Sequence, residues 1–258
     1  VRQAIPNPSR DSDYFDQWYA DMQVSPVKDE IMRRNLGVPE DAGPVGILAW
    51  SALDEIADAL GLDDDRVLAD IACGRGGYGI ELARRADADL VGVDFSAVAL
   101  EQARRTAQRR LPNQAEFRVG RLTETGLPAG SMDAVLCTDS VQFAEPVWAA
   151  LGEFRRILRR GGALAITSWQ AVTPGDERVS PRIRGLDLWR DLGQAGFDEV
   201  VVEVRPEWYA AERRLHEETV AAPNDGSDLA LASLQSESVS SLERFDLVQR
   251  VVAYATAP

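Results

Sequence analysis

Between Val67 and Gly79 the chain reads VLADIACGRGGYG, a short apolar strand that runs straight into a glycine-rich turn and then a helix. Val67, Leu68, Ile71 and Ala72 are β-branched or small apolar residues of the kind that fill a strand buried on both faces of a parallel sheet. Gly74, Gly76 and Gly79 satisfy G-x-G-x-x-G. Glycine there lets the backbone turn tightly and approach a ligand closely, and the following helix offers free N–H groups and a positive dipole end. A second apolar strand, Leu90 to Val93, ends in Asp94, 20 residues after Gly74. An acidic side chain so placed takes both hydroxyls of a ribose. The segment predicts a nucleotide-type cofactor at the carboxyl ends of a parallel sheet.

Spacing alone does not choose between NAD and another cofactor. Asp70 lies inside the strand four positions before Gly74, and Asp94 and Asp139 lie at or just beyond the ends of two other expected strands, so three carboxylates ring the crevice. A pyrophosphate placed there meets like charge, which is unfavourable in a partly desolvated site. S-adenosylmethionine has no phosphate, and its sulfonium and ammonium groups are cationic, so it fits the acidic surround better.

D-I-A-C-G-R-G followed by L-V-G-V-D-F-S resembles the first two motifs of class I S-adenosylmethionine-dependent methyltransferases. Two later blocks agree in order and spacing: SMDAVLCTDSVQF from Ser131 to Phe143, and EFRRILRRGGALAITSW from Glu153 to Trp169. The resemblance covers roughly residues 46 to 170. It implies an α/β, Rossmann-like, doubly wound sheet of seven strands, mostly parallel with the last antiparallel, and S-adenosylhomocysteine as the product of the cofactor. By the same resemblance the methionine end lies over Ala72, Gly74 and Gly76, and the backbone near Thr138 and Asp139 takes its amino group. Asp94 takes the ribose, Phe95 packs on the adenine, and Gly120, Arg121 and Leu122 edge the base. Two positions depart from the pattern. Arg121 stands where many relatives have an acidic acceptor for the adenine amino group, so that contact must come from backbone or another side chain. Gln142 and Phe143 stand where relatives often carry histidines, which leaves that loop without a histidine base.

At 258 residues and 45% hydrophobic content the chain suits one α/β domain with additions. Residues 1–45 read as a helical arm or lid, 46–170 as the cofactor-binding core beginning with a helix over 46–60, and 171–258 as C-terminal strands with cap helices over about 206–242. The last two strands are expected at Phe197–Val204 and Val248–Ala255, and the cap helices at Pro206–Ala221 and Ser227–Leu242. A net charge of −14 argues against nucleic acid as substrate, because binding phosphates needs a basic patch. Lys28 is the only lysine, which speaks against a Schiff-base mechanism. Cys73 and Cys137 fall in or at the ends of core strands and read as reduced thiols of a cytoplasmic protein. No apolar run of signal-peptide or membrane-spanning type occurs. His216 is the only histidine and no paired-ligand spacing is present, so no metal is expected. Oligomeric state leaves no mark.

The acceptor side is less defined. Tyr14, Phe15, Trp18, Tyr19 and Met22 fall at helical spacings of three and four and form an aromatic face, either docked on the core or closing as a lid over cofactor and substrate. Trp208, Tyr209 and His216 occupy the first cap helix. His216 is the candidate general base, with Glu212 on the same face to orient it; its alternative is a packing residue. Gln142, Phe143 and Trp169 follow strand ends on the cofactor side and are expected to line the pocket. The reading is methyl transfer to a small, largely apolar acceptor at oxygen, nitrogen or carbon, in secondary metabolism. Competing readings are a cyclisation on the same fold, an NAD-dependent oxidoreductase and a non-catalytic binding protein.

Overall fold

Apolar residues alternate along the central strands, and that alternation gives the sheet two buried faces. In the computed structural model, which describes residues 12–22, 25–43 and 46–258 and only the backbone of 12–14, the strands are β1 (Val67–Ile71), β2 (Asp89–Asp94), β3 (Ala115–Val119), β4 (Met132–Thr138), β5 (Leu158–Ala171), β6 (Asp198–Val204) and β7 (Val248–Thr256). Along β1 and β4, Leu68, Ala134 and Leu136 join one apolar cluster while Ala69, Ile71, Val135 and Cys137 join the other. This is the period of two expected when both faces are covered.

The order across the sheet is β3-β2-β1-β4-β5-β7-β6. Strands β1 to β5 pair in parallel, and β7 enters antiparallel between β5 and β6. The seven-stranded, doubly wound sheet with an antiparallel last strand is the architecture the motifs imply. Strand order reverses between β1 and β4, which opens a crevice at their carboxyl ends.

Helices α1 (Ser12–Asp21), α2 (Pro26–Leu36) and α3 (Ala52–Leu60) precede the sheet, and α4 (Gly77–Ala86), α5 (Ala97–Arg110) and α6 (Val147–Ile157) are crossovers. The short α7 (Pro181–Arg184) and α8 (Leu188–Gln194) follow β5. Between β6 and β7 the chain forms α9 (Pro206–Ala221) and α10 (Leu229–Leu242), the two helices expected as a cap. No described helix is long and apolar enough to cross a membrane.

One helix is shorter than expected. Residues 46–51 are irregular and α3 begins at Ala52, although Leu48 shares the helical spacing. The reason is Tyr78, whose hydroxyl accepts from Leu48 N at 3.0 Å and lies 2.7 Å from Gly46 O, within donating distance. A side chain from α4 thus takes the backbone groups that a helix would have used.

At the opposite end of the sheet, Asp133 is 1% exposed and ties three strands together. It accepts from Val67 N at 2.9 Å, from Arg66 at 3.3 Å, and from Arg159. Replacing it leaves a strand N–H and two guanidinium groups without their acceptor. Asp133→Ala is expected to lower unfolding free energy by about 2–3 kcal/mol, read by urea denaturation; a loss below about 0.5 kcal/mol would show that this clamp does not hold the strand ends.

Candidate functional site

The crevice is built from strand ends held in unusual conformations. Ala72 (φ 59°) and Asp139 (φ 54°), at the ends of β1 and β4, both sit in the left-handed region that non-glycine residues rarely enter. Each is fixed by its surroundings: Cys73 N donates to Val93 O at 3.0 Å, and Asp139 N donates to Thr167 O at 3.0 Å. Gly74 (φ 52°) turns between them, and a Cβ there would lie 2.6 Å from the Tyr19 hydroxyl. The chain therefore passes close beneath whatever covers the turn.

The carboxylates around the turn do different work. Asp94 accepts from Gly74 N at 2.8 Å and from Ser96 N at 2.9 Å, at the mouth of the crevice. Burial pushes its pKa up to about 6, against the pull of the N–H groups it accepts from. Asp70, one of the three carboxylates expected around the crevice, is buried on the inner side of the turn. It is packed so closely against Gly79 that any side chain there would collide with it, and the Gly79 N–H supports its carboxyl. The third glycine of the motif thus makes room for Asp70. Burial and the nearby charge of Asp94 raise the Asp70 pKa to about 7.

Helix α1 lies across this crevice. Phe15 meets Phe95 edge-on with ring centroids 5.1 Å apart, and Tyr19 is buried with its hydroxyl over Gly74. Asp16 accepts from the hydroxyl of Ser96, the residue that caps α5. Gln102 donates to Tyr19 O at 3.1 Å, and Arg75 donates to Met22 O at 3.3 Å. Trp18 reaches the other way, donating from Nε1 to Ser233 Oγ of α10 at 3.2 Å. The Tyr14 side chain falls outside the described residues.

Behind the crevice, under α9 and α10, lies a polar interior. Asp139 accepts from Thr167 Oγ1 and from Arg250 Nη2, each at 2.6 Å. Arg250 stacks 4.1 Å over the Trp169 ring, and Trp169 Nε1 donates to Glu212 at 2.9 Å. Burial alone would lower the Arg250 pKa, but Asp139 and Glu212 hold it above its ordinary value, so the guanidinium stays charged. His216 is wholly buried; its Nδ1 lies 2.9 Å from Ser238 Oγ, and its Nε2 lies 3.6 Å from Glu212 Oε1, too far for a hydrogen bond. Glu237 interacts electrostatically with the same group, and its pKa is raised by desolvation and by Glu212 and Asp139, with His216 opposing.

Trp169, His216 and Glu212 therefore come together, while several other expected pocket residues do not join them. Gln142 is a brace: Nε2 donates to Asp139 O at 2.6 Å and Oε1 accepts from Ser168 at 2.9 Å. Phe143 is 46% exposed and packs under the Arg182 guanidinium, because Val141 and Gln142 take the inward directions of that turn. Trp208 is buried in the core on the first turn of α9, with Arg205 over its ring. Tyr209 points one step round the helix and donates to Phe245 O at 2.9 Å.

Just past the end of β3, Gly120 allows the chain at Thr125 to pack against it. Arg121 N–H is bonded to Glu124 O at 2.9 Å, and its guanidinium stands 6.0 Å from the Phe95 ring. Leu122 packs against the inner apolar cluster. Sequence reasoning missed Arg250 and Glu237. The first had a signal, since an arginine in the strand VQRVVAYA falls on the same face as the buried Val252.

Comparison with known proteins agrees with this architecture. Residues 68–162 match the model of a methyltransferase domain. The chain is 27% identical to a sterol 24-C-methyltransferase of Aspergillus fumigatus over 54% of its own length and 37% of the relative's. It is 30% identical to phosphoethanolamine N-methyltransferase 3 of Arabidopsis thaliana over 60% of its length and 33% of the relative's. The chain thus spans about a third of the length of these curated relatives. Among solved structures, the [4+2]-cyclase SpnF superposes with a TM-score of 0.75 at 20% identity, covering 97% of this chain and 98% of SpnF. The matched domain begins one residue inside β1 and ends within β5, so it takes in the glycine turn, Asp94 and the switch point, and this part of the chain is similar to a methyltransferase domain.

Proposed function

We propose that this protein, acting as one cytoplasmic methyltransferase domain, transfers a methyl group from S-adenosylmethionine to a small, largely apolar acceptor in secondary metabolism. The observation that carries the reading is the crevice itself: Asp94 beside a close-approach glycine turn, roofed by the aromatic face of α1 and opening onto a buried polar interior. The residues fit the cofactor. Thr138 Oγ1, at the end of β4, is buried and, among the described residues, has no hydrogen-bond partner, as suits a group that faces the polar methionine end. In this reading Asp94 accepts from the ribose hydroxyls, Phe95 and Phe15 flank the adenine, and the backbone of Ala72, Gly74 and Gly76 runs beneath the methionine portion. Bound there, S-adenosylmethionine supplies an electrophilic methyl carbon on a sulfonium.

The protein's share of such a displacement is alignment, exclusion of water and handling of one proton. Helix α1, pinned by Asp16 and Trp18, shuts solvent from the turn. If the His216 Nδ1–H donates to Ser238, Nε2 carries the free lone pair. That nitrogen can take a proton from an acceptor hydroxyl, and Glu212, 3.6 Å away, then stabilises the imidazolium. A cyclisation is the second reading, prompted by SpnF, whose 20% identity supports a shared fold alone.

Isothermal titration with S-adenosylhomocysteine and with NADH tests the cofactor: tight binding of the first is expected, and binding of NADH alone would sink the reading. Asp94→Ala is expected to weaken S-adenosylhomocysteine by about 1.5–3 kcal/mol; unchanged affinity removes the ribose assignment.

The raised values of Asp94, about 6, and Asp70, about 7, give a pH dependence. Without ligand the folded chain holds protons that the unfolded chain has lost between about pH 4 and pH 7, so stability falls as pH rises through that window. A cationic cofactor favours the ionised carboxyls, so its binding releases protons and tightens from about pH 5 to pH 7, by up to about tenfold per unit for each proton released. Titration in buffers of different ionisation enthalpy reads both effects, and affinity that falls over this range would exclude a cationic ligand beside Asp94.

His216→Ala is expected to lower turnover by about a hundredfold with cofactor affinity intact. Full turnover would make His216 a packing residue between α9 and α10.

A further inference from the structure

Arg250 is the one residue of β7 whose chemistry the fold itself does not complete. It is 1% exposed, on a strand otherwise occupied at this depth by Val251, Val252 and Ala253. Only Nη2 is hydrogen-bonded, to Asp139; Nε stands 3.8 Å from Glu212 Oε2, and among the described residues neither Nε nor Nη1 has a hydrogen-bond partner. A buried donor without an acceptor is destabilising by about 1–3 kcal/mol, more when charged. Donors left open on a buried guanidinium point to a group from outside the fold that completes them.

The neighbouring atoms make this a site and not an isolated defect. His216 Nε2 and Thr138 Oγ1 are likewise buried and unpartnered, and both adjoin residues that contact Arg250. Glu237 of α10 is exposed, interacts electrostatically with His216, Glu212 and Asp139, and lines a small surface pocket together with Trp18, Met22, Lys28, Met32 and Ser233.

Charge narrows what can enter. Arg250 is shared by Asp139 and Glu212, which leaves one excess negative charge, and desolvation holds the carboxyl of Glu237 toward its neutral form. A cofactor with a net charge of about +1 at neutral pH balances that excess. An acceptor bearing phosphate would then face the carboxylates, and one bearing an ammonium would face the guanidinium, in each case without a compensating partner. A neutral oxygen meets no such opposition and accepts from the open donors.

Resting on the methyltransferase reading above, the geometry points to Arg250 as the acceptor-binding residue: its Nε–H and Nη1–H groups donate to a carbonyl or hydroxyl oxygen of an uncharged acceptor. The acceptor thereby belongs to the oxygenated, uncharged class, in contrast to phosphorylated or amine head groups. His216 Nε2, also without a hydrogen-bond partner among the described residues and 3.6 Å from the Glu212 that neighbours Arg250, is the nitrogen able to take a proton from that oxygen when it is a hydroxyl.

The test uses the full chain saturated with sinefungin, whose added amine keeps the net charge of about +1 that the sulfonium carries, and three probes: 2-hydroxyacetophenone, phosphoethanolamine and phenethylamine. Calorimetry on the unaltered protein is expected to rank 2-hydroxyacetophenone at least about tenfold tighter than either charged probe. In protein carrying nitrogen-15 arginine, the probe should also move the Nε–H resonance that is absent from Arg250→Lys. This variant keeps a positive charge beside Asp139, and it is expected to lose at least about tenfold in affinity for 2-hydroxyacetophenone while its affinity for sinefungin stays within about threefold. A charged probe that binds as tightly, an unmoved Arg250 resonance, or undiminished binding by Arg250→Lys would each overturn the assignment. The probe ranking needs no variant, so the test survives a variant that fails to fold. Failure of sinefungin to bind the unaltered chain would overturn the cofactor reading itself, a result distinct from all of these.

Discussion

Ala72 and Asp139 occupy backbone conformations that cost roughly 1–3 kcal/mol each for a residue with a side chain, and the crevice exists because the sheet enforces both. They terminate β1 and β4, adjacent strands whose connections leave in opposite directions. Without a sharp change of direction each strand would run on into the space where a ligand must lie. The neighbouring strands over-determine the turns: Val93 O of β2 holds Cys73, and Thr167 of β5 holds Asp139 through both its carbonyl and its hydroxyl. The strain is thereby shared across four strands.

Around this frame the interior is unusually acidic for a buried region. Asp70 and Asp94 lie near the turn, and Asp139 and Glu212 lie behind it, while Arg250 is the buried cation among them. Such an arrangement persists only if the carboxyls are protonated, hydrogen-bonded or matched by positive charge brought from outside. Each device is present: Asp70 is shifted toward neutrality, Asp94 accepts backbone N–H groups, and Asp139 is paired with Arg250. The remaining imbalance favours a cationic ligand and disfavours a second anion, a conclusion that follows from charge and burial and does not require the identity of the acceptor.

The helical additions divide the work. Helix α1 is joined to the glycine turn through Tyr19, Arg75 and Gln102, and to the cap through Trp18. Helices α9 and α10 bring His216 and Ser238 together from two different segments. Between them they convert an open α/β crevice into an enclosed interior, where electrostatic interactions are stronger than in water.

Local signals were sufficient for the elements and for the glycine turn. Glycine spacing, an acidic residue at the end of the next strand and alternating apolar runs are short-range patterns with short-range causes, so the glycine turn, Asp94 and both cap helices were legible from the amino-acid sequence alone. What the tertiary structure decided depends on neighbours far apart in the chain. Tyr78 unwinds residues 46–51, Gly79 admits Asp70 beneath the turn, and the direction of a single 3-10 turn sends Phe143 to the surface. Arg250 meets Asp139 across 111 positions, and its open donors become visible only when Trp169, Glu212 and the α9–α10 cap are packed around it. Sequence periodicity records which face of an element is buried, but it carries no information on which polar group waits there without a partner, because that is a property of several segments meeting in one small volume.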